Sequence, residues 1–490
     1  MQNKKSLKIN FFLNLIGQLV TLLVPIITTP YLARILHEEG IGIFSYSSSI
    51  ITYFILIANL GFETYAQREI AKTQLDPKHQ TKTFWELIIL RSVTTIVSLV
   101  CLFICLGLEA FGSKYNFIIM MLSLNVVAIM FDLSFFYRGI EDFKNVAIRT
   151  ILIKVLATAG IFLFVKDSND VWIYALCTSA STLIAACMTW IGIKKHLTSI
   201  HGRHLEFKKH FLPLFILFIP TLSITIYTVS DKTMLGLLSK NPDYDNGCYD
   251  QAYKINSLAL TPFNVLISVI IPRNSHDYYS GEIDAFKKHI YWMCNVVWML
   301  GLPMIVGFFV LSNNFSSWFF GNGYEIVPTL LIIMSLRMII SGLGSVFGNL
   351  LFTPMGKEIY PLIATIIGAV VNISLNVILI PIYGATGAAI TTLLCETTVT
   401  FILAILVMKN KTVSLVNIFK MSFKYIIASI LMFGLIYFMQ TKLAYSIWST
   451  FLIAFSGCVL YFLILIIIRD KFVLDYSKRG LQLIKKIIRK

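Results

Sequence analysis

Residues 84–108 read FWELIILRSVTTIVSLVCLFICLGL, a run of 25 residues that is mostly apolar. A helix needs about 20 predominantly apolar residues to cross the hydrocarbon core of a bilayer, so this run is long enough to span a membrane. It also contains Arg91. A charge at the centre of such a helix costs about 3 kcal/mol unless a partner or water solvates it.

The rest of the chain has the same character. It has 490 residues, of which 57% are hydrophobic and only 13% are charged, and its mean hydropathy is +0.77. A soluble protein could not bury this much apolar surface. We therefore predict an all-α polytopic membrane protein with about 14 transmembrane helices. The fourteen apolar runs lie near residues 10–33, 40–62, 84–108, 115–138, 146–166, 170–193, 211–238, 249–272, 289–312, 324–352, 358–381, 384–408, 420–440 and 445–468.

The positive charge is distributed asymmetrically between the two sides of these spans. With the N-terminus inside, 30 lysines and arginines fall in internal loops and tails, and 5 fall in external loops. Such an excess of basic residues on the cytoplasmic side sets the orientation of membrane proteins. It predicts that both termini are cytoplasmic, and it explains the net charge of +16 without a nucleic-acid partner.

A basic internal loop, 194–210, divides the predicted helices into two groups of six, and a final pair follows. We predict an N-terminal lobe of helices 1–6 over residues 1–210 and a C-terminal lobe of helices 7–12 over residues 211–409. Residues 410–490 would contain helices 13 and 14 and a basic amphipathic cytoplasmic tail. From Leu481 onward that tail places apolar residues on one helical face and lysines on the other, as in helices that lie on a membrane surface.

The two groups of six share a weak repeat. Gly42-Ile43-Phe44 opens the second predicted helix after a polar loop, and Gly247-Cys248-Tyr249 opens the eighth helix in the same way. Both copies start inside and cross in the same direction. Transporters with such parallel repeats carry their cargo between the two halves.

Six basic residues lie inside predicted spans, where contact with lipid is unfavourable. They are Arg91, Arg149, Lys154, Lys232, Lys254 and Arg337. Arg149 is about one helical turn inside its span and can reach the inner surface, whereas Arg337 is near the midplane and cannot. The other four lie on the order of 10 Å from one surface, Arg91 and Lys154 from the inner side and Lys232 and Lys254 from the outer side. A cavity lined by at least three of the six would suit an anionic cargo.

Structural ion pairs are an alternative explanation for some of these charges. Glu396 lies at a depth similar to that of Arg337, two spans away, so the two side chains could form a pair. Asp250 is one turn before Lys254 on the same helix, a spacing that allows a local pair, and Asp231 adjoins Lys232. Asp231 and Glu396 are also the candidates for coupling transport to a proton or sodium ion.

Polar and aromatic residues accompany the basic ones on the eighth helix. Tyr249, Tyr253 and Asn256 share a helical face, and their hydroxyl, amide and aromatic groups suit sugar hydroxyls and sugar rings. Hydrogen bonds between helices explain such residues equally well, because they are common in membrane bundles.

Several signatures of enzymes and cofactors are missing from the sequence. There is no GxxxxGK[ST] motif for ATP, and the longest external loop has about a dozen residues, which argues against a membrane polymerase. His196, His201, His204 and His210 crowd one internal loop, where a basic solvated loop is favoured over a metal site. We expect no cofactor, no metal and no catalytic residue.

Five segments, in order along the chain, resemble a known family. They are PYLARIL from Pro30 with REIAK from Arg68, FYRGIEDF from Phe136, DKTMLG from Asp231 with Gly247-x-Tyr249-x-x-Ala252-x-Lys254, PRNS from Pro272, and Asn376-x-x-Leu379-Ile380-Pro381 with Gly384, Gly387 and Ala388. Together they resemble the polysaccharide flippases, the Wzx-type transporters of O-antigen and capsule repeat units in the MOP exporter superfamily.

The resemblance implies two six-helix lobes around a central cavity in the cytoplasmic membrane of a bacterium. It also implies the cargo, an oligosaccharide repeat unit on undecaprenyl diphosphate, moved from the inner to the outer leaflet by alternating access. By matching position, Arg34, Lys232 and Lys254 are the expected contacts of the diphosphate. Other polysaccharide assembly proteins are possible partners.

Three other functions fit parts of the pattern. A lipid II flippase for peptidoglycan is physically similar, and a cation-coupled multidrug exporter shares the superfamily but should carry buried carboxylates instead of buried basic residues. A membrane polysaccharide polymerase would need a larger extramembrane site. The energy source, whether the membrane potential or an ion gradient, stays open.

Overall fold

A computed structural model describes residues 4–199 and 205–474, without side-chain placement for 4–23, 143–147 and 227. Every regular element in these ranges is a helix. The predicted amphipathic tail, and the loop histidines His201 and His204, lie outside the described residues.

The chain forms two compact units, one ending at Asp250 and the other beginning at Gln251. The first unit contains α1 (Lys4–Asn59), α2 (Phe62–Lys72), α3 (Pro77–Gly107), α4 (Ser113–Leu122), α5 (Leu124–Phe131), α6 (Ser134–Gly139), α7 (Phe143–Phe164), α8 (Val171–Met188), α9 (Lys208–Leu238) and the start of α10 (Pro242–Tyr279). Short 3-10 turns at Ser168–Asp170 and Ile193–Lys195 flank α8.

The second unit contains the rest of α10 and seven further α-helices. They are α11 (Ile283–Phe319), α12 (Val327–Ser335), α13 (Arg337–Ser345), α14 (Ile359–Tyr383), α15 (Ala385–Asn410), α16 (Leu415–Lys442) and α17 (Ile447–Ile467), with a π-helical segment, Val346–Phe352, after α13. The boundary at residue 250 separates two groups of residues that pack together, whereas the predicted boundary at residue 210 separates two groups of spans. The division of the spans at 210 therefore stays a prediction.

Eleven helical segments of the described part are long and apolar enough to cross a membrane, or up to twelve if Val327–Ser335 and Arg337–Phe352, bent by 40°, count as one span. The predicted run 10–33 and most of the run 40–62 lie within α1, which continues through a kink at His37. His37 has φ of 56°, which lies in a region of backbone conformation that residues other than glycine rarely adopt. The chain is a multi-pass membrane protein.

Each unit has its own apolar core. In the first, Leu36, Tyr46 and Ile50 of α1 are buried with residues of α3, α4 and α8. In the second, Met293 and Val297 of α11 belong to a large buried cluster that includes α13, α16 and α17. Many large apolar side chains stay exposed on the outer faces of both units, as expected where lipid is the solvent.

Close packing of glycines joins α1 to the start of α10 within the first unit. A Cβ atom at Gly42 would lie 1.8 Å from the carbonyl oxygen of Asp243, and one at Gly247 would lie 1.9 Å from that of Glu38. Only residues without a side chain allow two helix backbones to approach this closely. The two glycines of the sequence repeat thus pack against each other's helix.

Candidate cargo-binding site

Lys232 of α9 is held by a buried carboxylate of α10. Its Nζ atom donates to Oδ1 of Asp250 at 2.5 Å, and the side chains of Lys232 and Asp250 are 22% and 3% exposed. The cation is therefore more accessible than its partner. Because an ammonium has three donors, Lys232 can hold Asp250 and an oxygen of an anionic ligand together.

The neighbouring Asp231 points to a different partner. It accepts a hydrogen bond from the hydroxyl of Tyr249 at 2.5 Å, and both side chains are buried. One predicted coupling residue and one predicted sugar contact thus bind each other across α9 and α10.

Two further links attach this region to α1. Nδ2 of Asn246 donates to the carbonyl oxygen of Lys232 at 2.6 Å, and Oδ1 of Asn246 accepts from the hydroxyl of Ser45 at 3.0 Å. The hydroxyl of Thr233 donates to that of Ser49 at 2.9 Å. With the glycine contact they fix the backbone around Lys232, so its charge is presented from a rigid support.

A second cluster, in the second unit, surrounds Arg337. Its Nη2 lies 3.0 Å from Oε1 of Glu396, and its Nη1 donates to Oδ1 of Asn256 at 3.1 Å. The guanidinium also lies over the ring of Tyr253, 5.1 Å from the centroid. The ion pair that the sequence offered as an alternative for Arg337 is present.

Asn256 is fully buried and also donates through Nδ2 to the carbonyl oxygen of Met334 at 2.7 Å. Both ends of its amide are therefore used inside the second unit, as the explanation by hydrogen bonds between helices expects. Roles of Asn256, Tyr253 and Arg337 in binding cargo stay predictions.

Arg91 is almost completely buried in the first unit. Nη1 donates to the carbonyl oxygen of Asp132 at 2.6 Å, and the guanidinium lies 5.1 Å and 5.7 Å from the ring centroids of Phe62 and Phe135. A carboxylate oxygen of Asp132 is 3.9 Å from Nη2. Arg91 thus contacts a carbonyl oxygen and a carboxylate of Asp132, just beyond the end of α5, and two aromatic rings.

The remaining basic candidates differ in exposure. Arg34 is exposed on α1, Lys154 is partly buried on α7, and Lys254 is partly buried on α10. Arg149 donates to the carbonyl oxygens of Met188, the last residue of α8, and of Ile191, at 2.8 Å and 3.0 Å. A cation is favourable there because the last carbonyls of a helix lack helical partners.

A buried carboxylate network near the start of α9 was missed by sequence reasoning. Glu86 has no exposed side-chain area, and its Oε2 atom lies 2.9 Å from Nζ of Lys209 and 3.1 Å from Nε2 of His210. Nδ1 of His210 lies 2.7 Å from the hydroxyl of Tyr65. The available signal was an acidic residue inside the apolar run 84–108.

Metal ligands do not assemble in the described ranges: no three histidine, cysteine, aspartate or glutamate side chains there are placed to hold an ion. The candidate site therefore consists of cations held by carboxylates and hydroxyls, which can bind anions and hydrogen-bonding groups.

Comparison with known proteins identifies a family and several relatives. A family model described as polysaccharide biosynthesis protein matches residues 7–276, more than half of the chain. The chain belongs to this family. A second model, described as lipid II flippase MurJ, matches residues 248–456.

Two curated relatives are similar over different lengths. A putative O-antigen transporter of Escherichia coli K12 is 25% identical over 421 residues, which cover 84% of this chain and 98% of that protein. A probable low-salt glycan biosynthesis flippase, Agl15 of Haloferax volcanii, is 26% identical over 168 residues, 34% of this chain and 35% of that protein.

A solved structure has the same fold. The lipid II flippase MurJ in an inward closed conformation superimposes with a TM-score of 0.74 over 94% of this chain and 99% of that chain, at 18% identity. The predicted resemblance to the polysaccharide flippases is confirmed by the family model and the curated relatives.

Proposed function

We propose that this protein is a flippase that moves an undecaprenyl-diphosphate-linked oligosaccharide from the inner to the outer leaflet of a bacterial cytoplasmic membrane, for synthesis of a cell-surface polysaccharide. Membership of the polysaccharide biosynthesis family and the relatives named as an O-antigen transporter and a glycan flippase support it. Transport by alternating access, without a catalytic step, is part of the proposal.

The partly exposed side chain of Lys232, paired with the covered Asp250, is the observation that carries the proposal. A diphosphate is the anionic part of the cargo, and charge-assisted hydrogen bonds to phosphate are strong. Asp250 would hold Lys232 in place when no cargo is bound. Movement of an anion outward is also favoured by an inside-negative potential, by about 2.3 kcal/mol per charge per 100 mV.

The finer architecture belongs to the same proposal. It comprises fourteen spans, two lobes of six helices, a final pair and cytoplasmic termini, and the asymmetry of 30 internal to 5 external basic residues supports it. Arg34 and Lys254 would contact the diphosphate with Lys232, and Asp231 or Glu396 would bind a coupling ion. Binding to other polysaccharide assembly proteins is likewise proposed.

A lipid II flippase is the second candidate, because the MurJ family model matches 248–456 and the MurJ fold matches nearly the whole chain. Both cargoes present a diphosphate on a polyprenyl chain, so the cluster at Lys232 does not separate them. Recognition of the sugar part of the cargo must distinguish the two.

Transport by the purified protein in liposomes tests the proposal. The substrates would be a fluorescent polyprenyl-diphosphate oligosaccharide, fluorescent lipid II and a fluorescent polyprenyl alcohol without phosphate. A membrane-impermeant quencher would report how much label reaches the far leaflet. We expect the oligosaccharide lipid to move faster than in protein-free liposomes and the neutral alcohol to show no protein-dependent movement.

Faster movement of lipid II than of the oligosaccharide lipid would favour the second candidate. If neither diphosphate lipid moved faster than in protein-free liposomes, with correctly folded protein present, the proposed function would be wrong.

A further inference from the structure

Lysines surround an open crevice where α11 and α16 begin, in the second unit. A cavity of about 530 Å³ is lined by Tyr291, Asn417, Lys420, Met421, Phe423 and Lys424. An adjacent cavity of about 470 Å³ shares Tyr291 and Met421, and its wall adds Lys287, Lys288 and the carboxylate of Asp284. The two cavities thus form one crevice lined by four lysines and one aspartate.

The helices that build the crevice run in the same direction. The hydroxyl of Tyr291 accepts from the backbone N–H of Ser414 at 2.7 Å, near the start of both helices. Further along, the rings of Trp298 and Phe419 are 5.9 Å apart, and those of Phe309 and Phe433 are 6.0 Å apart. Since contacts advance together along both helices, their N-terminal ends lie side by side.

The charge of the crevice is only partly balanced. Among residues 4–199 and 205–474, no carboxylate lies within 4.0 Å of the amines of Lys287, Lys288 or Lys420. Lys424 forms an ion pair with the buried Asp470. The excess of cations creates a positive potential that attracts anions in the adjoining leaflet.

An apolar stripe continues from the lysines along α16. Phe423, Ile427 and Ile430 follow Lys420 at helical spacing and are 68%, 38% and 63% exposed. Residues three and four apart share one face of a helix. One continuous surface therefore offers ammonium groups at its end and apolar side chains beside them.

We propose that this crevice binds the phosphate of an anionic glycerophospholipid, whose acyl chains lie along the apolar stripe of α16. Charge complementarity with three lysines that lack a carboxylate partner in the described ranges selects an anionic headgroup, and the stripe selects a molecule with hydrocarbon chains. The bound lipid would bridge α11 and α16. The site is separate from the cluster at Lys232 and does not depend on the proposed transport function.

Lipid titration followed by native mass spectrometry tests the site on the full-length protein in a neutral detergent. The ligands are phosphatidylglycerol, phosphatidylcholine and a polyprenyl diphosphate. The variant Lys287→Gln/Lys288→Gln/Lys420→Gln should lose affinity for phosphatidylglycerol by about fivefold per lysine, which corresponds to ~1 kcal/mol each.

The matched control is Lys194→Gln/Lys195→Gln/Lys208→Gln, which removes three exposed lysines of the first unit. It should bind phosphatidylglycerol as the wild type does, and the lysine-to-arginine version of the crevice variant should bind normally. Equal affinity of the crevice and control variants would overturn the proposal. A crevice variant that lost polyprenyl diphosphate but retained phosphatidylglycerol would overturn it as well, because the ligand would then be the other phosphate lipid.

Discussion

Removing Glu396 should destabilise the second unit, because the buried guanidinium of Arg337 would lose its carboxylate. The two charged groups are 3.0 Å apart, and their side chains are 5% and 13% exposed. Breaking a buried ion pair by removing one partner costs about 3–5 kcal/mol. In Glu396→Ala the hydrogen bond from Arg337 to Asn256 remains, so we expect the lower end, ~3 kcal/mol.

Replacing both partners tests whether the loss of stability in Glu396→Ala comes from the unpaired charge of Arg337. In Arg337→Met/Glu396→Met the pair is exchanged for apolar side chains, and such exchanges are often neutral. The carbonyl oxygen of Asn256 would lose its donor, which costs about 1 kcal/mol. The double variant should therefore be more stable than Glu396→Ala.

Tryptophan fluorescence during heating in detergent provides the assay. A change of 1 kcal/mol shifts Tm by about 2–4 °C for a domain of 150–250 residues. Glu396→Ala should then melt about 6–12 °C below the wild type, and the double variant within about 4 °C of it. A double variant less stable than Glu396→Ala would refute the coupling of the two charges.

Three further predictions concern the first unit. The free energy of unfolding of Gly42→Ala should fall by about 1–3 kcal/mol, because the new Cβ meets a backbone carbonyl at 1.8 Å and overpacking is destabilising. The control Gly434→Ala, where a Cβ would have no atom within 4 Å, should be as stable as the wild type. Equal melting temperatures of the two variants would contradict this prediction. The free energy of unfolding of Glu86→Gln should fall by about 1.5–3 kcal/mol, since a buried acceptor of charged donors becomes neutral. An unchanged Tm of this variant would rule the prediction out. The hydrogen bond from Lys82 lowers the pKa of Glu206, so its contribution exists above the ordinary carboxyl pKa and is lost as pH falls through the lowered value; a Tm difference between wild type and Glu206→Gln that does not shrink in acid would contradict it.

Depth arguments predicted some of the side-chain pairing. Arg337 and Glu396 were matched because both lie far inside apolar runs, where an unpaired charge is expensive, and they form an ion pair. The class of fold followed from hydropathy in the same way, because burial of backbone groups in lipid allows few alternatives to helices. Such inferences require only the position of each residue along its apolar span.

Many other contacts between helices were not predictable by these arguments. Asp250 accepts a hydrogen bond from Lys232 on the preceding helix, a contact that spacing along one helix does not predict. The repeat at Gly42 and Gly247 was visible, but its meaning as a backbone contact depends on how α1 meets α10. Hydropathy also separates runs that a kinked helix joins, as α1 does at His37.

The initial rate of flipping by Lys232 variants tests the proposed diphosphate contact directly. Loss of a hydrogen bond to a charged group costs about 1.5–3 kcal/mol, so Lys232→Ala should flip the oligosaccharide lipid about 10- to 100-fold more slowly. Lys232→Arg should retain part of the rate, and Lys240→Ala, which removes an exposed lysine just beyond the end of α9, should match the wild type. Lys232→Ala/Asp250→Ala also removes the buried carboxylate that Lys232 binds, and it should stay slow although it folds. Flipping by either Lys232→Ala variant at the wild-type rate, at normal expression, would contradict the assignment of Lys232 as the anion contact.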